Sequence, residues 1–581
     1  MRVTIHPPIT PAGLGHHTFH ELRSDLRRCL AHWVILDQPS PSVQSNRITV
    51  LLTELLLSTP PTTTVTKVMS APSEHSDKSP RSPDALLWPS HLPTPVHAKQ
   101  RFSSTRTCFG ARLGRLCAAL GVASLTLMGT IYLGITIRSL PDSVHMPTPS
   151  GSGLPLLKDF SDNSEVLLTN HSASSRIQDS LSPLHSYITG WPSSGWTNDV
   201  IAAINLVYMA SLTDRIPIIP PFTPSHVGSI GEAGPLEFGD VFDVPRLANE
   251  LGMHILEWRD VKHSLLDVHK AEGGVQSEVE KVGCWSTWAS SPFSNGMPRH
   301  SEVPALYNLD ISYTPVPSSF SLSQGHKKDQ YYLSIWSLAS LAYQATREWA
   351  YATQSLHTLP VTSGTGERVA PAERLLCFDL LYYVGLANEE EWWKDYAPYW
   401  PKIGVHLRWA PQLLELAQVY LRRHFKVQDG EPIPPFVSVH VRRADFAGWC
   451  PSNMNREACF ATLETYAERV RDIQASLRAQ TTPIDARAVL VTSDERDPEW
   501  WKELAELGSE WGWVDHGAEE TVEKYGKWYP VVLDAVFQSL GAGFVGTDRS
   551  TMSLLAQRRV EAWNNGVGTF VRWGAPNADA R

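Results

Sequence analysis

Apolar positions along the chain fall into three patterns, and each predicts a different kind of element. One is an unbroken run: Leu116–Ile137, "LCAALGVASLTLMGTIYLGITI", is 22 positions without a charge. As a helix rising about 1.5 Å per residue it spans roughly 33 Å, enough to cross a bilayer. A second pattern repeats every three to four residues. It runs through "TNDVIAAINLVYMASLTD" from Thr197, "YYLSIWSLASLAYQATREWAYATQ" and "APQLLELAQVYLRRHF", so the stretch between about 330 and 425 reads as mostly helical. The third pattern is short and strand-like, as in "RIPIIPPF", closed by prolines, and "MHILEW". It is clearest towards the C-terminus. There a strand "FVSVHV" precedes a helix through "REACFATLETYAERVRDIQASLRA", a strand "AVLVTS", a helix from Asp497-Pro498, a helix "PVVLDAVFQSL", a strand "GFVGT" and a helix "MSLLAQRRVEAW". Strands joined by helices imply a parallel, doubly wound sheet, and two such regions predict two Rossmann-like domains with a cleft between them.

The flanks of the long apolar run predict its orientation. Lys99, Arg101, Arg106, Arg112 and Arg115 precede it, whereas Arg138 and Asp142 follow and the next lysine is Lys158. Positive charge collects on the cytosolic side, so a single-pass type II layout is expected, with everything beyond 138 in the lumen of the Golgi or ER. A cleaved signal peptide would stand at the N-terminus, not a hundred residues in, and an anchor of this length suits the thinner early secretory membranes. Residues 1–115 then form a disordered cytosolic tail, with Met69 as an alternative start, and 138–184 a Pro/Ser/Gly stem. Residues 185–425 and 426–575 are left as the two α/β domains.

Composition narrows the partners. The formal charge is −10 and no basic block is large enough to follow a phosphate backbone, which argues against nucleic acid. Asn170-His171-Ser172 is a glycosylation tripeptide and agrees with a secretory compartment. Cys284, Cys377, Cys450 and Cys459 fall in the expected lumenal part. The close pair Cys450 and Cys459 fits no common zinc spacing, so a disulfide is expected there over a metal site, with free buried thiols as the alternative.

Candidate chemistry gathers at "VSVHVRRADF". Side chains alternate along a strand, so Val437, Val439 and Val441 share one face and Ser438, His440 and Arg442 the other. Arg442 and Arg443 then stand at the strand's C-terminal end, where open α/β sheets bind ligands, and an anion is the expected one. Gly541-x-Gly543-x-x-Gly546 spells a dinucleotide fingerprint in the wrong context, because these glycines follow a helix and lead into a strand. Gly541 reads as a helix C-cap and Gly546 as the turn after the strand. The next helix opens at "RSTMS", where Ser550 or Thr551 can cap it and the free amides offer a phosphate site. Arginine beside such a helix start suits a diphosphate leaving group. Either a metal on carboxylates or preorganised Arg and backbone donors can stabilise that group, and the chain has no D-x-D triplet.

Taken together, "HVRRADF" and "DAVFQSLGAGFVGTDRSTMSLLA" resemble the GDP-fucose protein O-fucosyltransferase superfamily, which takes in the α1,6-fucosyltransferases. "GWPSSGWTNDVIAAINLVYMASLTDRIPIIPPF" is similar to the family's opening glycine/asparagine loop, helix and proline-closed strand, and the resemblance spans about 185–565. It implies a GT-B-like α/β fold and metal-independent, inverting transfer of fucose from GDP-fucose to a protein or glycan acceptor, with no cofactor. The N-terminal domain would then be the acceptor side and the C-terminal one the nucleotide-sugar side. By the same resemblance Arg442 holds the β-phosphate and stabilises the leaving group, with Arg443 in support. His440 and Asp534 read the guanine and its ribose, Ser550 and Thr551 bind phosphate, Asp494 lines the cleft or is a plain loop carboxylate, and Gly195 and Asn198 position donor and acceptor. Ser194 stands where some relatives carry a glutamate base. Asp199, Glu232, Glu237 and Asp240 lie nearby, none at the family's position, so the base is unassigned. A relative that uses another nucleotide sugar, and a catalytically silent binder of GDP-sugar or glycoprotein, are the alternatives. "GCWSTWASSPFSNGMP" has no counterpart and reads as either an acceptor-binding insertion or core.

Overall fold

A computed structural model of the 581-residue chain describes residues 173–266, 278–322, 331–353, 368–388, 391–428 and 430–580. The apolar run at 116–137, the tail before it and the Asn170 tripeptide lie outside the described residues. Among the described residues no helix is long and apolar enough to cross a membrane.

In chain order the strands are β1 (Tyr187–Gly190), β2 (Ile216–Ile219), β3 (Leu256–Glu257), β4 (Glu280–Ser286), β5 (Leu309–Pro315), β6 (Leu333–Ser334), β7 (Leu375–Phe378) and β8 (Val384–Gly385). They continue with β9 (Phe436–Val441), β10 (Ala488–Ser493), β11 (Trp511–Gly512), β12 (Gly543–Thr547) and β13 (Val567–Val571). One sheet has the order β3-β2-β1-β7-β4-β5, the other β11-β10-β9-β12-β13, and every ladder in both is parallel. The short β6 and β8 pair with each other, and Leu333 of β6 also bridges to Ser321. The second sheet grows outward in two directions, so its order turns once, between β9 and β12; in the first, β1 to β3 run one way, β4 and β5 lie on the other side, and β7 returns to fill the place between β1 and β4. A crevice opens beyond the strand ends at such a turning point, which is where α/β sheets take ligands.

The helices that frame these crevices follow from their sequences. α1 (Trp196–Thr213) is buried at every position from Asp199 to Ala210, as a helix apolar all round must be. α2 (Pro411–Phe425) opens with proline and carries Arg422, Arg423 and His424 in its last turn, against the negative end of the helix dipole. α3 (Leu463–Arg478), α4 (Pro498–Glu506) and α6 (Thr551–Asn564) are capped by the side chains of Thr462, Asp497 and Ser550. α5 (Tyr529–Leu540) precedes β12. On β9 the alternation read from the sequence is present: Val437, Val439 and Val441 pack with Val470 and Ile473 of α3, while the Ser438 hydroxyl donates to the Gln538 carbonyl of α5 at 2.7 Å.

Three expectations change. The helix through "REACFATLETYAERV" is two helices, Arg456–Cys459 and α3, because the Thr462 hydroxyl accepts the Thr465 amide and starts a new one. The stretch at 330–425 is broken by strands: β6 comes before the short helices at Ile335–Ser340 and Gln344–Thr353, and β7 and β8 come after them and before α2. "GCWS" is the end of β4, with Trp285 fully buried and Trp288 nearly so, so those tryptophans are core. Cys450 and Cys459 form the expected disulfide; Cys284 and Cys377, 93 residues apart, form a second that joins β4 to β7.

Candidate active site

The second sheet's turning point carries most of the residues singled out from the sequence. His440 is buried near the end of β9, its Nδ1 2.8 Å from the Ser553 hydroxyl, which also accepts the Thr547 amide at 3.1 Å. Burial, reinforced by the Arg442 charge, pushes the imidazole down to about 3, so the ring is neutral at any physiological pH. Arg442 follows at the strand end. Its amide donates to the Thr547 hydroxyl at 2.9 Å, and its guanidinium reaches Asp445 at 2.8 Å and Asp494 at 3.1 Å. Asp494 also accepts the amides of Arg443 and Ala444, at 2.7 and 3.2 Å, so it clamps the turn after β9 as well as steering Arg442.

Arg443 points to the opposite face of the sheet, pairing with Glu495 at 2.9 Å and lying over the Phe460 and Trp500 rings. Burial lowers its pKa. Asp534 sits one turn before Gln538 on α5, on the His440 face of the sheet, but its partner is His516 at 3.1 Å. The structure therefore keeps Arg442, His440 and the β12–α6 turn together, turns Arg443 to the other face, and pairs Asp534 with His516.

Ser550 caps α6 by accepting the Ser553 amide at 3.3 Å. Thr551, the first residue of that helix, donates its hydroxyl to Asn198 Oδ1 at 2.7 Å and receives one from Thr197 at 2.8 Å. Thr197 and Asn198 lie in the first turn of α1, whose N-cap is Gly195. Two helix N-termini thus meet between the sheets, both presenting unpaired amide groups and positive dipole ends. A side chain at Gly195 would bring its Cβ to 3.2 Å from the His226 ring. The glycines of the apparent fingerprint answer to packing instead: a Cβ at Gly541 would lie 2.5 Å from Ser438 Oγ, at Gly543 2.3 Å from Ile473, and at Gly546 2.6 Å from Phe544. Gly541 does occupy the C-cap of α5, but in an extended conformation, and Gly546 lies inside β12 and not after it.

The model of the GDP-fucose protein O-fucosyltransferase family matches residues 187–562. The chain belongs to this family. It is a glycosyltransferase by that membership. Among solved structures, POFUT1 in complex with GDP-fucose is similar at 16% identity, covering 66% of this chain and 98% of that one with a TM-score of 0.39. The fucosyltransferase NodZ from Bradyrhizobium is similar at 12% identity, covering 64% and 92%, with a TM-score of 0.30. A search of curated proteins returns no match.

In this O-fucosyltransferase family member the first sheet supplies Asp379 and Arg299, which the sequence did not single out, and gives a place to Asp199, which it named only as lying near the unassigned base. Asp199, buried in α1, accepts the amides of Ser193 and Ser194 at 3.1 Å and so holds the loop after β1. Burial raises its carboxyl to about 8 against the pull of those amides and of Arg299. Asp379, after β7, accepts from the Ser286 and Thr287 hydroxyls and the Arg299 amide, and burial raises it too. The Arg299 guanidinium closes the circuit by donating to the Ser193 carbonyl at 3.1 Å. Both carboxylates are spent on backbone and hydroxyl groups. Glu232 is paired with Lys527 at 3.3 Å and Asp240 with Arg259 at 2.9 Å. The only advance signal for Asp199 was its place in the opening motif, and nothing local marked Asp379 or Arg299. Among the described residues no group of three or more His, Cys, Asp or Glu side chains is set to hold a metal ion.

Proposed function

We propose that the protein transfers fucose from GDP-fucose to a protein or glycan acceptor, with inversion and without a metal, anchored as a type II protein of the ER or Golgi membrane by the apolar run at 116–137. The observation that carries this reading is the convergence of Arg442 and the starts of α1 and α6 at the second sheet's turning point. Two positive helix ends directed at one place repel each other until an anion sits between them, and a diphosphate supplies it. As the bond from the sugar to the β-phosphate breaks, charge grows on that phosphate. Arg442 and the amides of Thr551 and its neighbours are already in place to stabilise it, without reorganisation at the moment of reaction. His440, neutral and buried, reads the guanine by hydrogen bonding, not charge. Asp199 and Asp379 hold the acceptor-side loops, and the acceptor proton passes to the departing phosphate.

Calorimetric titration of the chain with GDP, UDP and CMP in EDTA tests this. GDP alone is expected to bind, and Arg442→Ala to weaken it at least about tenfold, the loss of a charge-assisted hydrogen-bond pair. Preference for UDP or CMP would replace the donor; no binding by folded protein would remove the transferase reading. A second reading is favoured by one feature: the Arg442 guanidinium is already paired with Asp445 and Asp494, and no carboxylate stands at Ser194. A silent GDP-sugar binder would take up GDP yet release none from GDP-fucose with glycoprotein acceptors.

A further inference from the structure

Trp573 follows β13 and belongs to none of the motifs above, yet it touches the turn after the β9 arginines and the turn that leads into α6. Its indole stacks on Phe446 at 5.0 Å and on Phe460 at 5.4 Å, both within 24° of parallel, and Phe446 in turn stacks on Trp449 at 4.4 Å. Phe446 and Trp449 belong to the single helical turn Asp445–Trp449 that comes directly after the β9 arginines, and the Arg442 guanidinium lies 5.9 Å over the Phe446 ring. Phe460 adjoins Cys459, whose disulfide to Cys450 closes this loop, and the Gly574 amide donates to the Cys459 carbonyl at 2.8 Å.

On its other side Trp573 reaches the turn that opens α6. Its Nε1–H donates to the Asp548 carbonyl at 2.9 Å, and the Arg549 guanidinium lies 5.9 Å over its ring. Arg549 has φ 67°, a left-handed conformation that a non-glycine residue keeps only where its surroundings impose it. The hydrogen bond to Asp548 holds the residue before it, and the Ser550 cap comes directly after. The tail secures the indole in turn: the Arg572 amide donates to Asp579, and Asp579 pairs with the buried Arg469 at 2.6 Å. One side chain, 7% exposed, therefore joins the end of β9, the disulfide loop and the start of α6.

We infer that Trp573 is a positioning residue for the donor's diphosphate, holding Phe446 beneath Arg442 and Asp548 ahead of Ser550 and so setting the spacing between the strand-end arginine and the helix start. This rests on the donor site proposed above. Removing the indole frees Phe446 on one side and the strained Arg549 turn on the other, so the two phosphate-binding elements no longer hold a common register. The base-reading side, around His440, keeps its own contacts to Ser553.

The test compares GDP with GMP by calorimetry on the full chain, as wild type, Trp573→Ala and Trp573→Phe. The GDP-to-GMP affinity ratio falls about tenfold in Trp573→Ala while GMP affinity itself stays within about twofold, because the second phosphate is the group left without its register. Trp573→Phe keeps a stacking ring and loses only the bond to Asp548, so it lowers the ratio about threefold. Should Trp573→Ala fail to fold, Trp573→Phe carries the test alone. An unchanged ratio in a folded variant, or equal weakening of GDP and GMP, overturns the inference and makes Trp573 a plain core residue. A wild type that binds neither nucleotide overturns the donor site itself, a different failure from a wild type that binds GDP and variants that match it.

Discussion

In the second sheet the core of β9, β10, β12 and β13 is built from valines on strands of five and six residues: Val437, Val439, Val441, Val489, Val491, Val545 and Val571. In the first sheet β1, β2 and β7 have four residues each, β3 two and β4 and β5 seven, and the largest buried side chains are rings: Trp191, Trp258, Trp285, Tyr187, Phe222 and Phe378, several of them on loops and short helices. The two also use charge differently. At the end of β9 a guanidinium stands partly open to the crevice, whereas the carboxylates of Asp199 and Asp379 beside β1 and β7 are fully enclosed and hold backbone. A sheet of branched aliphatics can carry its chemistry on the strand ends, because its strands define themselves. A sheet stitched by aromatic packing spends its buried polar groups on fixing its own loops.

The contrast can be tested, and the largest expected effect is on the cross-links. Cys284→Ser with Cys377→Ser opens a loop of 93 residues between two strands of the first sheet and should cost about 4–5 kcal/mol. The bridge between Cys450 and Cys459 closes only 9 residues, and its double serine variant should cost about 2–3 kcal/mol. Urea unfolding of the two reports the difference, and equal losses would erase this distinction between the regions. Next comes the separation of core from site within β9. Val439→Ala should cost about 2–3 kcal/mol of stability and leave GDP affinity unchanged, since Val439 faces α3 and not the crevice. Arg442→Ala should do the reverse.

Asp199 gives a pH-dependent effect with a definite sign. Its folded pKa of about 8 lies above the ordinary carboxyl value of 3.8, so between those two pH values the folded state holds a proton that the unfolded state has released. Stability therefore falls as pH rises from about 4 to about 8, and Asp199→Asn should remove that part of the fall. Urea midpoints at pH 5, 7 and 9 show it; parallel slopes for variant and wild type would contradict the enclosure of this carboxyl. The smallest effect is expected at His516, whose pKa the Asp534 carboxylate raises although burial opposes it. Its ion pair contributes below the ordinary imidazole value of 6.5 and is lost as pH rises through the raised one. His516→Gln should therefore cost under about 1 kcal/mol more at pH 6 than at pH 9, read from the same titrations.

Legibility followed the same division. "FVSVHV", "AVLVTS" and "GFVGT" were readable as β9, β10 and β12 to the residue, because alternating or β-branched apolar runs between capped helices have no competing reading. β4, β5 and β7 were not: "EKVGCWS", "LDISYTP" and "LLCF" are buried on both faces and lack the alternation that marks a half-exposed strand. The places of Arg442 at a strand end, of His440 on the face opposite the valines, and of Ser550 and Thr551 at a helix start were legible, because side-chain alternation and capping are local. That Arg443 turns to Glu495 and Asp534 to His516 depends on side chains from other elements. Trp573 carried no motif at all.

The sequence by itself determined which segments become the strands and capped helices of the second sheet and the chemistry at their ends, because propensity, capping and side-chain alternation act between residues a few positions apart. Only the tertiary structure decided that Asn198 and Thr551 share a hydrogen bond across more than three hundred residues, that Cys284 meets Cys377, and that one indole near the C-terminus stacks on the Phe446 ring beneath Arg442. Those contacts are set by the order of strands within each sheet and by packing between layers. No local pattern encodes either of them.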